Sequence, residues 1–489
     1  MLTIKSGNPL KRKVELLIIP VCENKEIYKD KTINRLIADV MKLKEFKGKD
    51  SDEVLFYDLP EAASKRVVFA GVGKVADLND ELLREFAGRA VKKAMGKKIK
   101  KMAFAMPEVT LLKKEFTSTA GAILEGAYLA NYIFDKYLSE KGAQPLDAVE
   151  LITDAVNAGA NDGIVNRVEN TCRGTLLTRE WVSDPSGTKT PEKYVKNLED
   201  TFKKTEIDFS VIEKAELQKL GCGAILAVAQ GSSSPPFLAI ADYKPKHFKK
   251  TVVMVGKGVT FDSGGLDIKT AAGMIDMKCD MAGSATVAGT MVAISELKPD
   301  IRVIGVMPIV ENMPSGDAYR PGDILKTYSG KTVEIGNTDA EGRLILADAL
   351  AYAEKTYAPD VIIDLATLTG ACVMALGDKI AGIFSFSDKL AAKIKASGIK
   401  TGERCWPMPM PKDYKKLLKS EFADMNNMSS TRYGGAITAA LFLSEFVETK
   451  QWVHIDIAGP AYIMKPNDYS SPGGTGFGVR LLCDYLTGL

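Results

Sequence analysis

The sequence predicts an α/β protein of two domains. A smaller N-terminal α/β domain spans residues 1–160, a connecting helix spans 161–183, and a larger C-terminal α/β domain spans 184–489, with a central mixed, mostly parallel sheet flanked by helices. Three observations carry this expectation. The chain has 489 residues, more than one ordinary domain accommodates. Short strand-like runs alternate with polar-periodic, helix-like stretches through both halves. In the second half the runs are apolar on successive residues, as strands buried on both faces require.

The elements follow in order. Val14–Val21, Val54–Tyr57, Val67–Ala70 and Met102–Ala105 read as strands, and Asn79–Ala94 reads as a helix with Asn79 as its cap. The Gly-Val-Gly-Lys at 71–74 lacks the spacing of a phosphate loop. A long helix starts near Asp162 and stops before Ser183-Asp184-Pro185, followed by a turn-rich segment and a further helix after Thr190. Val252–Val255, Val303–Met307, Val361–Ile363 and Val453–Ile457 read as strands of the second domain, with a helix over Glu341–Tyr357. Lys257 and Thr367-Leu368-Thr369-Gly370 then fall just beyond the carboxyl ends of two of these strands, where open α/β sheets bind ligands.

Composition narrows the function. Hydrophobic residues make up 46% and charged residues 26%, and the net charge of +3 is close to neutral for this length. Neither a nucleic acid nor a membrane is therefore expected as the main partner. One lysine run, Lys92, Lys93, Lys97, Lys98, Lys100 and Lys101, leaves DNA binding as a minor reading beside that of a solvated helix end. The seven cysteines are widely spaced and form no Cys-x-x-Cys, which suits reduced thiols in a reducing compartment. No signal peptide is visible, and the longest uncharged stretch, 220–241, is interrupted by Gly231 to Pro236. The protein is expected to be soluble and cytoplasmic.

The chemistry concentrates in three places: Asn337-Thr-Asp339-Ala-Glu341-Gly-Arg343, the segment from Lys257 through Asp262 to Lys269, and Asp280. Asp262, Asp280, Asp339 and Glu341 would repel one another unless cations held them, and oxygen ligands of this kind suit a pair of divalent ions. Lysine can stabilise an oxyanion as an ammonium or ligate a metal as an amine, whereas Arg343 stays charged and suits an anion. Each residue also has an ordinary reading: Asp339 as the cap of the 341–357 helix, Lys257 and Lys269 as surface lysines. His454 and Asp456 sit at alternate strand positions, but their apolar setting favours a structural histidine. His247 lies in a basic, exposed stretch. His-Glu-x-x-His and Gly-x-Ser-x-Gly motifs are absent, and neither Cys279 nor Cys372 has an adjacent histidine.

These segments resemble the leucyl aminopeptidases, a family of cytosolic metallo-exopeptidases. The resemblance runs from Asn337–Arg343 through Gly256–Gly265, Asp280–Gly283, Asp364–Ala371 and His454–Gly459, and covers about 170–489. Residues 1–160 are similar to the family only in α/β character and length. The resemblance implies that residues 184–489 form the catalytic domain and 1–160 an assembly or regulatory one. It implies two divalent ions, Mn2+ or Zn2+: a tighter one on Lys257, Asp262, Asp280 and Glu341, and an exchangeable one on Asp262, Asp339 and Glu341. It further implies that Lys269 stabilises the tetrahedral intermediate and that Arg343 anchors a bicarbonate acting as general base. A metal-bridged hydroxide would attack the N-terminal peptide bond. An apolar pocket of Met277, Thr367, Gly370, Ala458 and Ala461 would favour Leu or other apolar residues. Peptides are the implied substrates and a homohexamer the implied assembly. Asp184, Asp267 and Cys279 depart from the commoner family choices without replacing a ligand. Two rivals remain: a two-metal phosphoesterase, which needs more cationic groups than Lys269 and Arg343, and a DNA-binding regulator.

Overall fold

The computed structural model describes residues 2–154 and 161–489. The expected domain boundary at residue 160 and the side chain of Asp162, near which the long helix was expected to start, lie outside the described residues. The chain forms two compact units. One comprises residues 1–172 together with Lys465–Ser471, and the other comprises 173–464 with 472–489.

Among the described residues the first unit is built on a six-stranded sheet. Its strands are β1 (Leu2–Ser6), β2 (Leu16–Val21), β3 (Glu53–Tyr57), β4 (Arg66–Gly71), β5 (Lys101–Ala105) and β6 (Ala148–Thr153), in the order β1-β6-β5-β2-β4-β3. Only β3 runs antiparallel, against β4. Helix α1 (Asp80–Gly96) is capped as expected, Asn79 Oδ1 accepting from Leu82 N at 3.1 Å, and packs against α2 (Phe116–Ala130). The segment 465–471 joins this unit through α1. Arg89 pairs with both Asp50 and Asp468, Lys92 donates to the carbonyls of Asn467 and Ser470, and Tyr469 donates to Glu81 at 2.7 Å. A single cut along the sequence does not anticipate this return of the chain. The lysine run therefore includes one residue tied to 465–471 and another, Lys93, paired with Glu53 at 2.6 Å.

Helix α3 spans Asn161–Ser183, as the expected connecting helix does, and the division between the units falls inside it. The second unit contains a nine-stranded mixed sheet among the described residues. Its members are β7 (Asp208–Glu213), β8 (Phe237–Tyr243), β9 (Thr251–Gly256), β10 (Gly258–Asp262), β11 (Arg302–Asn312), β12 (Val361–Ala366), β13 (Ala381–Phe384), β14 (Cys405–Pro407) and β15 (Trp452–Asp456). The order is β14-β13-β15-β12-β9-β11-β8-β7, with β10 beside β11. The centre, β15-β12-β9-β11, is parallel throughout. Its strands are buried on both faces, which explains their unbroken apolar sequences.

Two helices cover opposite faces of this centre. Helix α4 (Ala282–Leu297) joins the core that includes Val252, Met254, Ile363 and Leu365. Helix α5 (Glu341–Tyr357) joins the one that includes Val253, Val255, Ile304 and Ile362. Small residues let α4 approach closely: a Cβ on Gly283 would lie 2.2 Å from the Leu365 carbonyl oxygen, and one on Gly174 of α3 would lie 2.2 Å from that of Gly289.

Two glycines of α3 should therefore respond oppositely to alanine. Gly174→Ala meets backbone and should cost about 1–3 kcal/mol. Gly163→Ala meets nothing within 4 Å and should stabilise by about 0.5–1 kcal/mol. Thermal melts of both variants beside the parent check the sign.

Candidate metal centre

The parallel strands deliver the site. Lys257 follows β9 directly, and its amide donates to the Leu365 carbonyl of β12 at 3.0 Å, so it begins where the sheet ends. Thr367 follows β12, Asn312 ends β11, and Ala458 lies just beyond β15. Asp280 precedes the first turn of α4, and Glu341 opens α5. All these termini face one edge of the sheet, as the strand-end argument required.

Oxygen atoms of Asp262, Asp280 and Glu341, all buried, lie within 4.8 Å of one another. Lys257 Nζ donates to Asp280 Oδ1 at 2.7 Å and to the Thr367 carbonyl at 3.0 Å, and sits 2.8 Å from Glu341 Oε1. The last approach is too oblique for a hydrogen bond, and both Glu341 Oε1 and Asp280 Oδ2 are buried without a hydrogen-bond partner. Lys269 Nζ lies 2.9 Å from Asp262 Oδ2 and also pairs with Asp339. The expectation that Asp339 could cap α5 is not met. The cap position is Ala340, no side chain closes it, and the Asp339 carboxylate turns instead to Lys269. Nor are Lys257 and Lys269 surface lysines, since both point into the carboxylates.

Burial and mutual repulsion set the charges. Burial, with Asp262 adding to it, pushes the Glu341 carboxyl up to about 8. Burial likewise pushes Asp280 up to about 6 against the pull of Lys257. Burial also raises Asp339, again with Asp262 beside it. For Lys257 burial works against the charge, but Asp280, Glu341 and Asp262 outweigh it and hold the ammonium above its ordinary range. Lys269 follows the same balance. When ionised, the carboxylates outnumber the two ammonium groups, and the buried oxygens of Asp280 and Glu341 that accept no hydrogen bond can serve as ligands for a cation. The residues fit divalent ions.

Arg343 lies one turn into α5, buried, with Nη1 donating to the Asn427 carbonyl at 2.7 Å and Nε unpartnered. Burial lowers its pKa to about 10, opposed by Glu341 and Asp456, so it stays charged near neutral pH. No carboxylate lies within ion-pair reach of it among the described residues, and an unmet buried donor is costly. The residues fit a small anion.

The other sequence candidates fall around this centre. Thr367 donates from Oγ1 to Asp280 Oδ1 at 2.8 Å. Gly370 opens a short helix, exposed, with open space where a side chain would be. Met277 and Ala458 are half-buried, and Ala461 is buried in the core. His454 is fully buried and pairs through Nδ1 with Asp364 Oδ1 at 2.5 Å, and Asp364 also accepts from Trp452 at 2.7 Å. Asp456 instead accepts from Leu368 N, Thr369 Oγ1 and Ala458 N, holding the loop after β12. A His454–Asp456 dyad does not form, as the structural reading of His454 expected. The cysteines are buried.

Several supporting residues escaped sequence reading. Asn312 Nδ2 donates to Asp262 Oδ1 at 2.8 Å and to the Thr338 carbonyl at 3.0 Å. Asn427 Oδ1 accepts from Gly336 N at 2.8 Å, and its Nδ2 donates to the Asn337 carbonyl at 2.8 Å. Lys189, buried, donates to the Trp181 and Lys278 carbonyls, and Ser186 donates to that of Thr260, so one turn braces the approaches to both Asp280 and Asp262. Lone polar residues within apolar or turn segments gave no signal for these roles.

Comparison with known proteins agrees with this geometry. Residues 176–483 match the profile of the cytosol aminopeptidase family, catalytic domain, and residues 21–141 that of its N-terminal domain. The chain belongs to the cytosol aminopeptidase family. With that membership goes the coarse activity of a metal-dependent aminopeptidase, a hydrolase. The chain is 42% identical to a probable cytosol aminopeptidase of Chlorobium phaeobacteroides, over 97% of each chain. It is 43% identical to one of Cenarchaeum symbiosum, over 88% of this chain and 87% of that one. Among solved structures it is similar to the bottromycin maturation enzyme BotP in complex with Mn. The TM-score there is 0.85 at 32% identity, over 97% of this chain and 99% of the other. The N-terminal match exceeds what its sequence suggested, since that region carries family likeness without a catalytic motif. Among the described residues, no helix is long and apolar enough to cross a membrane.

Two outcomes follow. A carboxyl whose folded pKa exceeds its unfolded value binds its proton more tightly when folded, so its stability contribution falls as pH rises between the two values. For Glu341 that window runs from about 4.5 to about 8. Metal-free protein should therefore lose stability from pH 6 to pH 8 relative to Glu341→Gln, and Mn2+ should raise the melting temperature more at pH 8, because protons compete for the same oxygens. Scanning fluorimetry of both proteins with and without Mn2+ reads this. Separately, a Cβ on Gly342 would lie 2.6 Å from Lys257 Cε. Gly342→Ala should displace Lys257 and cut peptidase activity about tenfold or more, which steady-state kinetics would show.

Proposed function

We propose that the chain is a dinuclear aminopeptidase that releases N-terminal residues, preferentially Leu or other apolar residues, from peptides. The observation that carries this is the buried set of Asp262, Asp280 and Glu341 oxygens within 4.8 Å of one another, two of the three side chains holding an orphaned oxygen. Asp262, Asp280, Glu341 and Lys257 would hold the tighter ion, and Asp262, Asp339 and Glu341 the exchangeable one. Two such ions would polarise the scissile carbonyl and bring the pKa of a shared water towards neutrality. Manganese or zinc suits the donors, and the Mn complex of BotP supports manganese.

The chain's own groups complete the chemistry. Lys257 is an ammonium among carboxylates here, so serving as an amine ligand would require it to release a proton on metal binding. Lys269 keeps its charge and would stabilise negative charge developing on the scissile oxygen. Arg343, buried with a free Nε–H, would hold a bicarbonate as the proton carrier. Thr367 lines the site beside Asp280, and with Met277, Gly370, Ala458 and Ala461 it would bound the pocket for the first side chain. Gly370 fits that role by leaving open space. An apolar pocket distinguishes neighbouring side chains by only about 1–3 kcal/mol, so preference should be graded. We read residues 184–489 as the catalytic domain and 1–160 as an assembly or regulatory domain, in a cytoplasmic homohexamer.

The test is release of leucine from leucyl-amide by metal-stripped protein titrated with Mn2+ and Zn2+, beside an N-acetylated substrate and Asp339→Ala. Cleavage should return with metal, vanish with the blocked amine, and fall at least about a hundredfold in the variant. Cleavage of the blocked substrate at the same rate would reject an exopeptidase.

A further inference from the structure

Two loops carry the groups that meet at the outer side of the metal centre. One runs from Asp262 to Lys269, and the other from Asn337 to Glu341. Lys269 and Asp339 come together from these loops, yet the Asp339 side chain is 35% exposed and Lys269 is a long, flexible chain. Their meeting needs the loops to be held in register by something else.

That register is set one and two residues away. Asp267 N donates to Thr338 Oγ1 at 2.9 Å, and Thr338 N donates to Asp267 Oδ2 at 2.7 Å. The Thr338 hydroxyl proton has Gly264 O at 2.6 Å and Asp267 Oδ2 at 3.1 Å as acceptors. The Thr338 carbonyl is taken by Asn312 Nδ2 at 3.0 Å and Tyr319 OH at 2.7 Å. Thr338 is fully buried, with its amide, carbonyl and hydroxyl all engaged. Asp267 is thus joined to Thr338 reciprocally, through one backbone and one side-chain bond. The chain then advances two residues to Lys269 on one side and one residue to Asp339 on the other. The two glycines between make this possible. Gly264 and Gly265 have φ of +89° and +66°, and a Cβ at 264 would lie 2.4 Å from the Asp267 carbonyl oxygen.

We propose that Asp267 is a positioning residue for the exchangeable metal site: its bonds to Thr338 fix where Lys269 stands relative to Asp339 and Asp262. This rests on the proposed roles of Lys269 and Asp339. Asp267 acts through Thr338 and touches none of the reacting atoms. A loop tie with a purely structural role would change stability and leave the second metal's affinity and the turnover number alone.

The experiment uses the full chain and its Asp267→Ala, Asp267→Asn, Thr338→Val, Thr338→Ser and Asp267→Ala/Thr338→Val forms. Each is titrated with Mn2+ by calorimetry and assayed on leucyl-amide at saturating Mn2+. Asp267→Ala and Thr338→Val should each lower kcat and weaken the second Mn2+ by about 10–100-fold, with KM and the first Mn2+ unchanged. Asp267→Asn still offers an oxygen to Thr338 N and Thr338→Ser keeps the hydroxyl, so both should recover most of the loss. The double variant should be worse than either single one, since each single variant leaves the other's bond in place. Wild-type kcat and second-metal affinity in Asp267→Ala, or no recovery in Asp267→Asn and Thr338→Ser, would overturn the proposal. If Asp267→Ala does not fold, Thr338→Val against Thr338→Ser decides. A parent that binds two Mn2+ but cleaves no leucyl-amide would reject the proposed function, and the tie is then judged on second-metal affinity.

Discussion

The structure of the second unit turns on one electrostatic fact: three buried carboxylates and a buried ammonium group share a small space at the end of a parallel sheet, with Lys269 and Asp339 at its outer side. Burial penalises the charges of Asp280, Glu341 and Lys257, and the carboxylates also repel one another. Such a cluster persists only where the surrounding chain over-determines it. The rest of the unit supplies that constraint: rigid parallel strands, two buried helices and a set of amide and hydroxyl bonds that leave each carboxylate little freedom.

The backbone does most of this placing. Parallel strands all end at the same edge, so Lys257, Asn312 and Thr367 arrive together without any loop having to reach for them. Helix α4 lies close enough to bring Asp280 to that edge because Gly283 and Gly256 have no side chains between them: a Cβ at 256 would lie 2.5 Å from the Gly283 carbonyl oxygen. Gly342 plays the same part in α5, letting Lys257 lie along the first helical turn. Glycines in the site segments are therefore packing residues as much as turn formers.

What the sequence made legible follows the same division. The central strands and α5 were readable because periodicity and buried apolar runs report local structure, and the α5 span matches residue for residue. The carboxylates and lysines were readable because their types are costly to bury together. The ordinary reading of Asp339 as a cap could not be set aside from sequence, because a turn aspartate before a helix carries the same local signal whether it caps or pairs with a distant lysine. Asn312, Asn427 and Lys189 were invisible because their partners lie 50, 84 and 89 residues away, across separate elements. The return of 465–471 to the first unit depends on Arg89 and Lys92 of α1, and a lysine-rich helix end looks the same whether it meets solvent or carbonyl oxygens.

The lysines give the cluster a further property. Lys257 and Lys269 each join two carboxylates, Lys257 between Asp280 and Glu341 and Lys269 between Asp262 and Asp339. These are the same side chains that would receive divalent ions, so ammonium groups, protons and metals all draw on one set of oxygens. Loading metal is then an exchange of positive charge within a fixed negative frame, with protons released as ions enter. Fully ionised, four carboxylates would exceed the two ammonium groups by two charges, and in the absence of metal the proton that Glu341 holds relieves part of that excess. A divalent cation would take the place of that proton, so both the number of lysines and their position at this edge matter to the chemistry.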